Sequence, residues 1–210
     1  DGSVVDVLAV DINMIQPERL PCGVSTLPLD LEQPSWGPAV WENCDLVHIR
    51  QLFGSIRPDC WHSVYCNAFQ HLRPGYGFIE HVEIDFTARW DVTPPDNSPI
   101  QTWSELYRSG MAHLGRCVEV DGSRVRDTLA GAGFVRLREE STRCLLGPTT
   151  TRREKVCEKW FNAALRANIL GWSLVPMIEG LGFTKEQVEH LCNNVLRDLL
   201  NCRTPVYFLL

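Results

Sequence analysis

The chain has 210 residues, of which 44% are hydrophobic and 22% are charged, and its formal net charge at pH 7 is −6. This composition is typical of a globular protein with one sizeable core, and the acidic balance excludes binding to nucleic acid through bulk electrostatics. No apolar run reaches the roughly 20 residues that cross a bilayer, so we expect neither a membrane nor a nucleic acid as a direct partner.

The cysteine content points to a reducing compartment. Nine cysteines are present, which is an odd number, and no two of them form a Cys-x-x-Cys pair. Disulfide scaffolds need even pairing and zinc ribbons need closer spacing. We therefore expect reduced, mostly buried thiols in a cytosolic or nuclear protein. The residues are Cys22, Cys44, Cys60, Cys66, Cys117, Cys144, Cys157, Cys192 and Cys202.

The first predicted strand, Val7–Asn13, carries an acid at its end, Asp11. In dinucleotide-type folds an acid in this place binds ribose hydroxyls, and a glycine-rich loop lies roughly 20 residues upstream of it. Only ten residues precede Asp11. The chain therefore holds half of a nucleoside-binding pattern. An acid at a strand end is also a common turn former, so Asp11 alone is a weak signal.

A second short strand, Val24–Leu29, also ends in an acid, Asp30, which is followed by Leu31. A carboxylate in this position can accept a hydrogen bond from the exocyclic amine of adenine, while the apolar neighbour covers the ring. Ligands of open α/β sheets bind beyond the carboxyl ends of the strands, where both acids fall. The two strand ends are consistent with one nucleoside pocket.

The next segments predict a crossover unit. A buried strand over 45–50 precedes a segment, 60–72, whose apolar residues recur at helical spacing. The Arg73-Pro74-Gly75 turn ends that helix and leads into a strand over 76–86. Strand, helix, turn and strand in this order predict an α/β fold, with a parallel sheet and helices on both of its faces.

The strand over 76–86 is unusually polar towards its carboxyl end, where Glu80, His81, Glu83 and Asp85 occur. Alternation places His81, Glu83 and Asp85 on one face and Glu80 on the other. Two interpretations stay open. Either the strand has left the sheet and these groups are solvated, or Glu80 or Glu83 lies at the mouth of a ligand cleft.

His48 and Arg50 close the strand before the crossover helix. His48 is either a satisfied core histidine or a group at the cleft. Arg50 is either a structural ion-pair partner or a clamp for a carboxylate. The Cys60, His62 and Cys66 group lies on a predicted helix, where such spacing serves packing more often than metal binding, so we expect no metal site.

The second half of the chain is predicted to be mainly helical before a last strand. A capping box over Thr184 to Gln187 opens the last of these helices. The predicted helices cover 100–114, 123–130, 155–169, 174–181 and 184–200, and the predicted strands cover 134–146 and 206–210.

Four blocks of sequence, 7–17, 29–36, 45–56 and 71–86, resemble the LaeA-like group of fungal methyltransferases as a set. They include Val-Leu-Ala-Val-Asp-Ile-Asn and Leu-Asp-Leu-Glu-Gln-Pro-Ser-Trp, then Asp-Leu-Val-His-Ile-Arg and Arg-Pro-Gly-Tyr-Gly-Phe-Ile-Glu-His-Val-Glu. This group belongs to the seven-stranded class I enzymes, which use S-adenosylmethionine. The resemblance therefore implies a Rossmann-like sheet, methyl transfer and this cofactor.

The resemblance also implies roles for residues of this chain. Asp11 matches the acid that holds the ribose hydroxyls of the cofactor, and Asp30 with Leu31 matches the pair at adenine. Arg50 matches the end of the fourth strand, and Glu83 matches an acid after the Pro-Gly turn.

The same resemblance places the catalytic groups. His48 matches the end of the fourth strand, which faces the transferred methyl, and Glu80 matches the first acid after the Pro-Gly turn. A base is needed only where the acceptor carries a proton, and His48, Glu80 or His81 could then serve.

The chain departs from the group in two places. Tyr76 replaces a usual glycine of the turn, and no Gly-x-Gly loop with its strand precedes Asp11. The expected strand order is therefore 3-2-gap-4-5-7-6. We expect one methyltransferase-like domain over 1–210, with a truncated cofactor-binding half over 1–90 and helical inserts and terminal strands over 91–210. On this basis the sequence is a fragment of a longer protein or a degenerate copy with little activity.

The methyl acceptor is either a small molecule or a protein side chain, and the residues do not distinguish the two. The alternative function is a non-catalytic regulatory protein or scaffold. LaeA-like proteins are associated with nuclear complexes that control secondary metabolism, so partner proteins and a cytoplasmic or nuclear location are implied.

Overall fold

A computed structural model describes residues 5–13, 16–146, 152–201 and 206–210. Over these residues the chain is a mixed α/β protein. Its strands are β1 (Val7–Asp11), β2 (Val24–Pro28), β3 (Leu46–Arg50), β4 (Phe78–Val82), β5 (Asp85–Trp90), β6 (Arg143–Leu146) and β7 (Val206–Leu209). Its helices are α1 (Trp61–His71), α2 (Pro99–His113), α3 (Gly122–Gly131), α4 (Arg152–Val175) and α5 (Lys185–Asn201), and a π-helix (Pro176–Gly180) continues α4.

The chain divides into two compact units. Unit 1 comprises Asp1–Arg50, Asp59–His81 and Ser123–Leu137, and unit 2 comprises Gln51–Pro58, Val82–Gly122 and Arg138–Leu210. No helix in the described part of the chain is long and apolar enough to cross a membrane.

Unit 1 contains two pairs of strands. β1 and β2 are parallel and in register from Val7 opposite Val24 to Asp11 opposite Pro28. β3 pairs with β4, and the two strands are parallel. Backbone hydrogen bonds join the start of β4 to the start of β3 (Phe78 N–H to Asp45 C=O) and the end of β3 to the end of β4 (Gln51 N–H to Val82 C=O). Within the described residues, β1 and β3 are not paired with each other. The described strands form three separate sheets, so the single sheet with the expected order 3-2-gap-4-5-7-6 is not observed.

The predicted crossover helix is confirmed as α1. Its buried face carries Val64, Tyr65 and Ala68, which are 1% exposed or less. The segment ends at a backbone N–H to C=O bond from Leu72 to Phe69, before the Arg73-Pro74-Gly75 turn. Gly75 has a φ of 78°, in the left-handed region that glycine tolerates without strain. The turn chemistry therefore sets the length of α1.

The strand predicted over 76–86 is wrong as one element. It is divided into β4, which pairs with β3, and β5, which pairs with β7. The division occurs where the carboxylate of Glu83 accepts hydrogen bonds from the distant backbone N–H groups of Leu52 and Phe53. Alternation predicted that Glu83 and Asp85 share one strand face with His81. This prediction is wrong, because the three residues do not belong to one strand.

Unit 2 is built around a three-stranded antiparallel sheet in which β7 lies between β5 and β6. Its core is aromatic. Trp103 of α2 is fully buried, its ring stacks on Tyr107 at 5.2 Å, and its indole N–H donates to Ser173 Oγ at 2.8 Å. Burial raises the pKa of Tyr107 to about 12. Phe208 of β7 contacts the same aromatic group.

Two predictions in unit 2 need correction. The strand over 134–146 is reduced to β6, because the left-handed backbone of Arg136 (φ 57°) interrupts an extended chain and only 143–146 pairs with β7. The two helices predicted over 155–169 and 174–181 are one element, α4 with its π-helix, so Gly171 does not end the helix.

Other expectations for unit 2 are confirmed. The capping box is present, since Gln187 N–H donates to Thr184 Oγ1 and Thr184 N–H donates to Gln187 Oε1 at 2.8 Å. The last strand is also present, as β7.

The described cysteines are less buried than expected. Seven cysteines with described side chains are free thiols, and of these only Cys144 and Cys192 are buried. Most of the others occupy half-buried positions next to loops or at helix surfaces. Cys157 and Cys202 lie outside the described side chains.

Helix α2 packs on the π-helix through two glycines. A Cβ atom added to Gly110 would lie 2.3 Å from the carbonyl oxygen of Pro176, and one added to Gly180 would lie 2.5 Å from the carbonyl oxygen of Gly110. Both neighbours are backbone atoms, which cannot rotate away. The close approach of these two elements therefore requires glycine at both positions.

We expect Gly110→Ala to lower the free energy of unfolding by about 1–3 kcal/mol, because the added methyl group forces the helices apart. Gly171→Ala in α4 is the control, since a Cβ there meets no atom within 4 Å. That change should raise stability by about 0.5–1 kcal/mol. Urea unfolding followed by circular dichroism measures both, and equal midpoints for the two variants would contradict the packing.

Candidate functional site at the strand ends of unit 1

Asp11 is the last residue of β1 and forms a turn with the loop that follows. Its Oδ1 atom accepts a hydrogen bond from the N–H of Asn13 at 2.8 Å. Its carbonyl accepts from the N–H of Leu29 at 2.9 Å, which ties the end of β1 to the end of β2. The second carboxylate oxygen of Asp11 has no hydrogen bond to a described residue, so it is available to a ligand donor.

Asp30 repeats this arrangement two residues after β2. Its Oδ1 atom accepts from the N–H of Glu32 at 2.9 Å. The carbonyl of the next residue, Leu31, accepts from the indole N–H of Trp36 at 3.2 Å, and this bond closes the loop around a half-buried leucine side chain. Because β1 and β2 are parallel and in register, Asp11 and Asp30 lie at the same edge of the pair.

His48 of β3 and Glu80 of β4 are brought together by strand pairing. His48 Nδ1 and Glu80 Oε2 are 2.6 Å apart. The two side chains are 46% and 59% exposed, so the pair is in contact with solvent on the open face of the two strands. The interpretation of His48 as a core histidine is therefore wrong, because residues alternate across β3 and Ile49 takes the buried position.

His81 lies on the opposite side of β4 from Glu80, against α1. Its Nδ1 atom is 2.7 Å from the hydroxyl of Tyr65, and its ring stacks on Trp61 at 4.9 Å. His81 is half-buried and Tyr65 is fully buried. The structure therefore separates the three predicted catalytic residues into an exposed pair, His48 with Glu80, and a histidine that is held by an aromatic wall.

Arg50 and Glu83 lie at the ends of β3 and β4. Arg50 is exposed, and the next residue, Gln51, has a left-handed φ of 54° and donates its N–H to the Val82 carbonyl. Glu83 is half-buried, and its Oε1 atom accepts from the N–H groups of Leu52 and Phe53 at 2.7 and 3.2 Å. Glu83 therefore holds the loop that leaves β3.

The sequence analysis missed four contributors. Tyr65 and Trp61 were assigned only to the apolar face of a helix, and their spacing carries no sign of the partner, His81, on a distant strand. The backbone donors of Leu52 and Phe53 carry no side-chain signal at all. The polar end of the strand over 76–86 was the one sequence feature that indicated such donors, because a half-buried carboxylate needs hydrogen-bond donors.

Two surface grooves of the described chain lie away from these residues. One, lined by Asp6, Gly23 and Ser25 among others, is at the start of β1 and β2, the end opposite Asp11. The other lies between α4 and α5 in unit 2.

The mixed α/β architecture and the acids at its strand ends are consistent with a methyltransferase-like fold. The chain is a homologue of the LaeA/LAE1 regulators of fungal secondary metabolism, which confirms the resemblance seen in the sequence. No family model matches the chain.

Three relatives illustrate this homology. The chain is 41% identical to the secondary metabolism regulator LAE1 of Hypocrea atroviridis over 97% of its own length. It is 41% identical to the secondary metabolism regulator laeA of Fusarium oxysporum f. sp. lycopersici over 98%. It is 28% identical over 97% to the protein-methionine methyltransferase laeA of Emericella nidulans. The chain spans 58%, 65% and 54% of the lengths of these relatives, respectively.

We expect Glu83→Ala to destabilise the chain by about 1–3 kcal/mol, because two half-buried N–H donors lose their acceptor. Glu83→Gln is the matched control, since its amide oxygen can accept the same two bonds. The midpoint of urea unfolding measures both. An alanine variant as stable as the glutamine variant would show that the two hydrogen bonds contribute nothing.

Proposed function

We propose that the protein carrying this chain is an S-adenosylmethionine-dependent methyltransferase with a Rossmann-like class I sheet, and that it acts in fungal secondary metabolism. The observation that carries the proposal is the placement of Asp11 and Asp30. The two carboxylates lie at the same edge of a parallel strand pair, and each is anchored by one oxygen with the other available. Homology to the regulators described above supports the same assignment.

The strand ends of unit 1 fit the adenosine part of the cofactor. Asp11 would accept hydrogen bonds from the ribose hydroxyls, and Asp30 would accept one from the adenine amine. Leu31 would cover the ring, since its side chain is half-buried next to Asp30. Asp11, Asp30 and Leu31 are assigned to the adenosine part alone, and the chain has no Gly-x-Gly pattern before Asp11 that would contact the methionine part.

Arg50 would contribute to the binding edge of unit 1. The exposed guanidinium of Arg50 would bind a carboxylate of the ligand, for which its forked donors are suited. Glu83 would act indirectly, because its bonds to Leu52 and Phe53 fix the loop that follows Arg50.

The bound cofactor supplies an electrophilic methyl group on a sulfonium, and transfer needs alignment and exclusion of water more than acid or base chemistry. The exposed His48 and Glu80 pair would face the acceptor. For an acceptor that carries a proton, His48 would take it while Glu80 fixes the ring and balances the charge. His81, oriented by Tyr65 and Trp61, is the second candidate base.

We propose a protein side chain as the acceptor. The Emericella nidulans relative is named for protein methionine. A thioether sulfur carries no proton, so no base would be needed, and the carboxylate of Glu80 would stabilise the new sulfonium through its charge. An amine or hydroxyl acceptor would instead depend on His48.

Partner proteins and location follow from the same proposal. We propose a cytosolic or nuclear protein that works within a regulatory complex. The names of the relatives support the regulatory role, since they describe regulators of secondary metabolism. The odd number of cysteines and the absence of a Cys-x-x-Cys pair in the sequence support a reducing compartment.

We expect Asp11→Asn to weaken binding of S-adenosylmethionine about tenfold or more, because the ribose loses a charged acceptor. Asparagine keeps the oxygen that accepts from Asn13, so the turn should remain. Asp127→Asn, an exposed change in α3 of the same unit, is the control and should leave affinity unchanged. Calorimetry measures the affinity of the unchanged natural protein that carries these residues and of the two variants.

Equal affinity in the Asp11→Asn variant would contradict the assignment. If Asp11→Asn abolished cofactor binding but left control of secondary metabolism intact in the fungus, the regulatory scaffold would replace the enzyme as the better account.

A further inference from the structure

Helix α4 carries two apolar faces, and only one of them contributes to the core of unit 2. Phe161, Leu165 and Ile169 point inward and are 8% exposed or less. They follow one another at intervals of four residues, so they form one stripe along the helix. Over residues 156–170 of α4, this is therefore the side that packs into the core of unit 2.

The opposite side of α4 presents a second stripe, which we call the α4 seam. It consists of Val156, Trp160, Ala163, Ala167 and Leu170, all of them exposed. The intervals are four, three, four and three residues, which is the spacing of the inner positions of a coiled coil. Trp160 is 70% exposed, and a large aromatic side chain in such a row of apolar residues is characteristic of an interaction surface.

The shape of the α4 seam suits another helix. Ala163 and Ala167 form a shallow centre between the large side chains of Trp160 and Leu170. Small central residues allow a second helix to approach closely, and larger residues on either side fill the space between its ridges. The same alanines offer little area for insertion into a lipid surface, where affinity scales with buried apolar area.

One flank of the α4 seam is cationic. Lys159 and Arg166 follow it along α4, and neither forms an ion pair within the described part of the chain. Arg166 also lines the groove between α4 and α5, together with His190, Arg197, Leu196 and Leu200. This local positive charge contrasts with the net charge of −6 of the whole chain.

We infer that the α4 seam is a docking site for an amphipathic helix of a partner protein. The partner helix has apolar residues at the same spacing and acidic residues on the side that faces Lys159 and Arg166. Charge complementarity favours this occupant over a second copy of the chain. In an antiparallel pair of α4 helices the cationic flanks would face each other, and in a parallel pair they would face Ala164 and Gly171. The inference does not depend on methyl transfer.

Binding of two synthetic helical peptides to the intact chain tests this inference. Both carry leucine at the inner coiled-coil positions, and the flanking positions are all glutamate in one peptide and all lysine in the other. Like charges on both flanks keep each peptide from pairing with itself. Fluorescence anisotropy should show the glutamate peptide binding about tenfold tighter or more than the lysine peptide. The double variant Lys159→Glu with Arg166→Glu should reverse that preference.

Two single variants locate the binding site. Ala163→Glu places a charge at the centre of the α4 seam and should weaken binding of the glutamate peptide by about tenfold or more. Asn168→Glu adds the same charge to an exposed position of α4 outside the seam and should change affinity by less than about twofold. Circular dichroism shows whether both variants keep their helices.

Three results would overturn the inference. The first is equal affinity for the two peptides, or no binding of either. The second is a dimer of the chain in sedimentation that Ala163→Glu dissociates, which would assign the seam to a second copy. The third is binding to vesicles of phosphatidylcholine with phosphatidylserine that the same variant abolishes, which would assign the seam to a membrane.

Discussion

The two hydrogen bonds that Glu83 accepts from the loop after β3 constrain much of this structure. They fix residues 52 and 53 against the end of β4, so the chain turns away at Glu83 and enters β5 as a separate strand. The pairing of β3 with β4 therefore ends at Arg50 and Val82, the last residues of the two strands. His48 and Glu80 meet on the surface of this strand pair.

The acids at the ends of β1 and β2 are held by the same kind of hydrogen bond. A carboxylate at the end of a strand satisfies one oxygen with the backbone of the following loop, as Asp11 does with Asn13 and Asp30 does with Glu32. This arrangement orients the side chain before any ligand arrives, which reduces the entropy lost on binding. The same residues are therefore turn formers and candidate ligand acceptors, and the two interpretations of Asp11 are compatible.

Local signals in the sequence predicted the local elements well. The capping box at Thr184 and the end of α1 at a Pro-Gly turn both depend on residues within a few positions of one another. Predictions that depended on distant partners were less successful. The division of the strand over 76–86 is caused by donors about 30 residues away, and the hydroxyl of Tyr65 finds His81 only after folding. The α4 seam has a clear periodicity, but periodicity alone does not show which of two apolar stripes faces the core.

Photo-crosslinking with tritiated S-adenosylmethionine, followed by mapping of the labelled peptides, tests most directly whether the strand ends of unit 1 bind the cofactor. We predict label in the peptides that contain Asp11 and Asp30, with competition by unlabelled S-adenosylhomocysteine. Label confined to other peptides, or label that the competitor does not reduce, would contradict this account of the site.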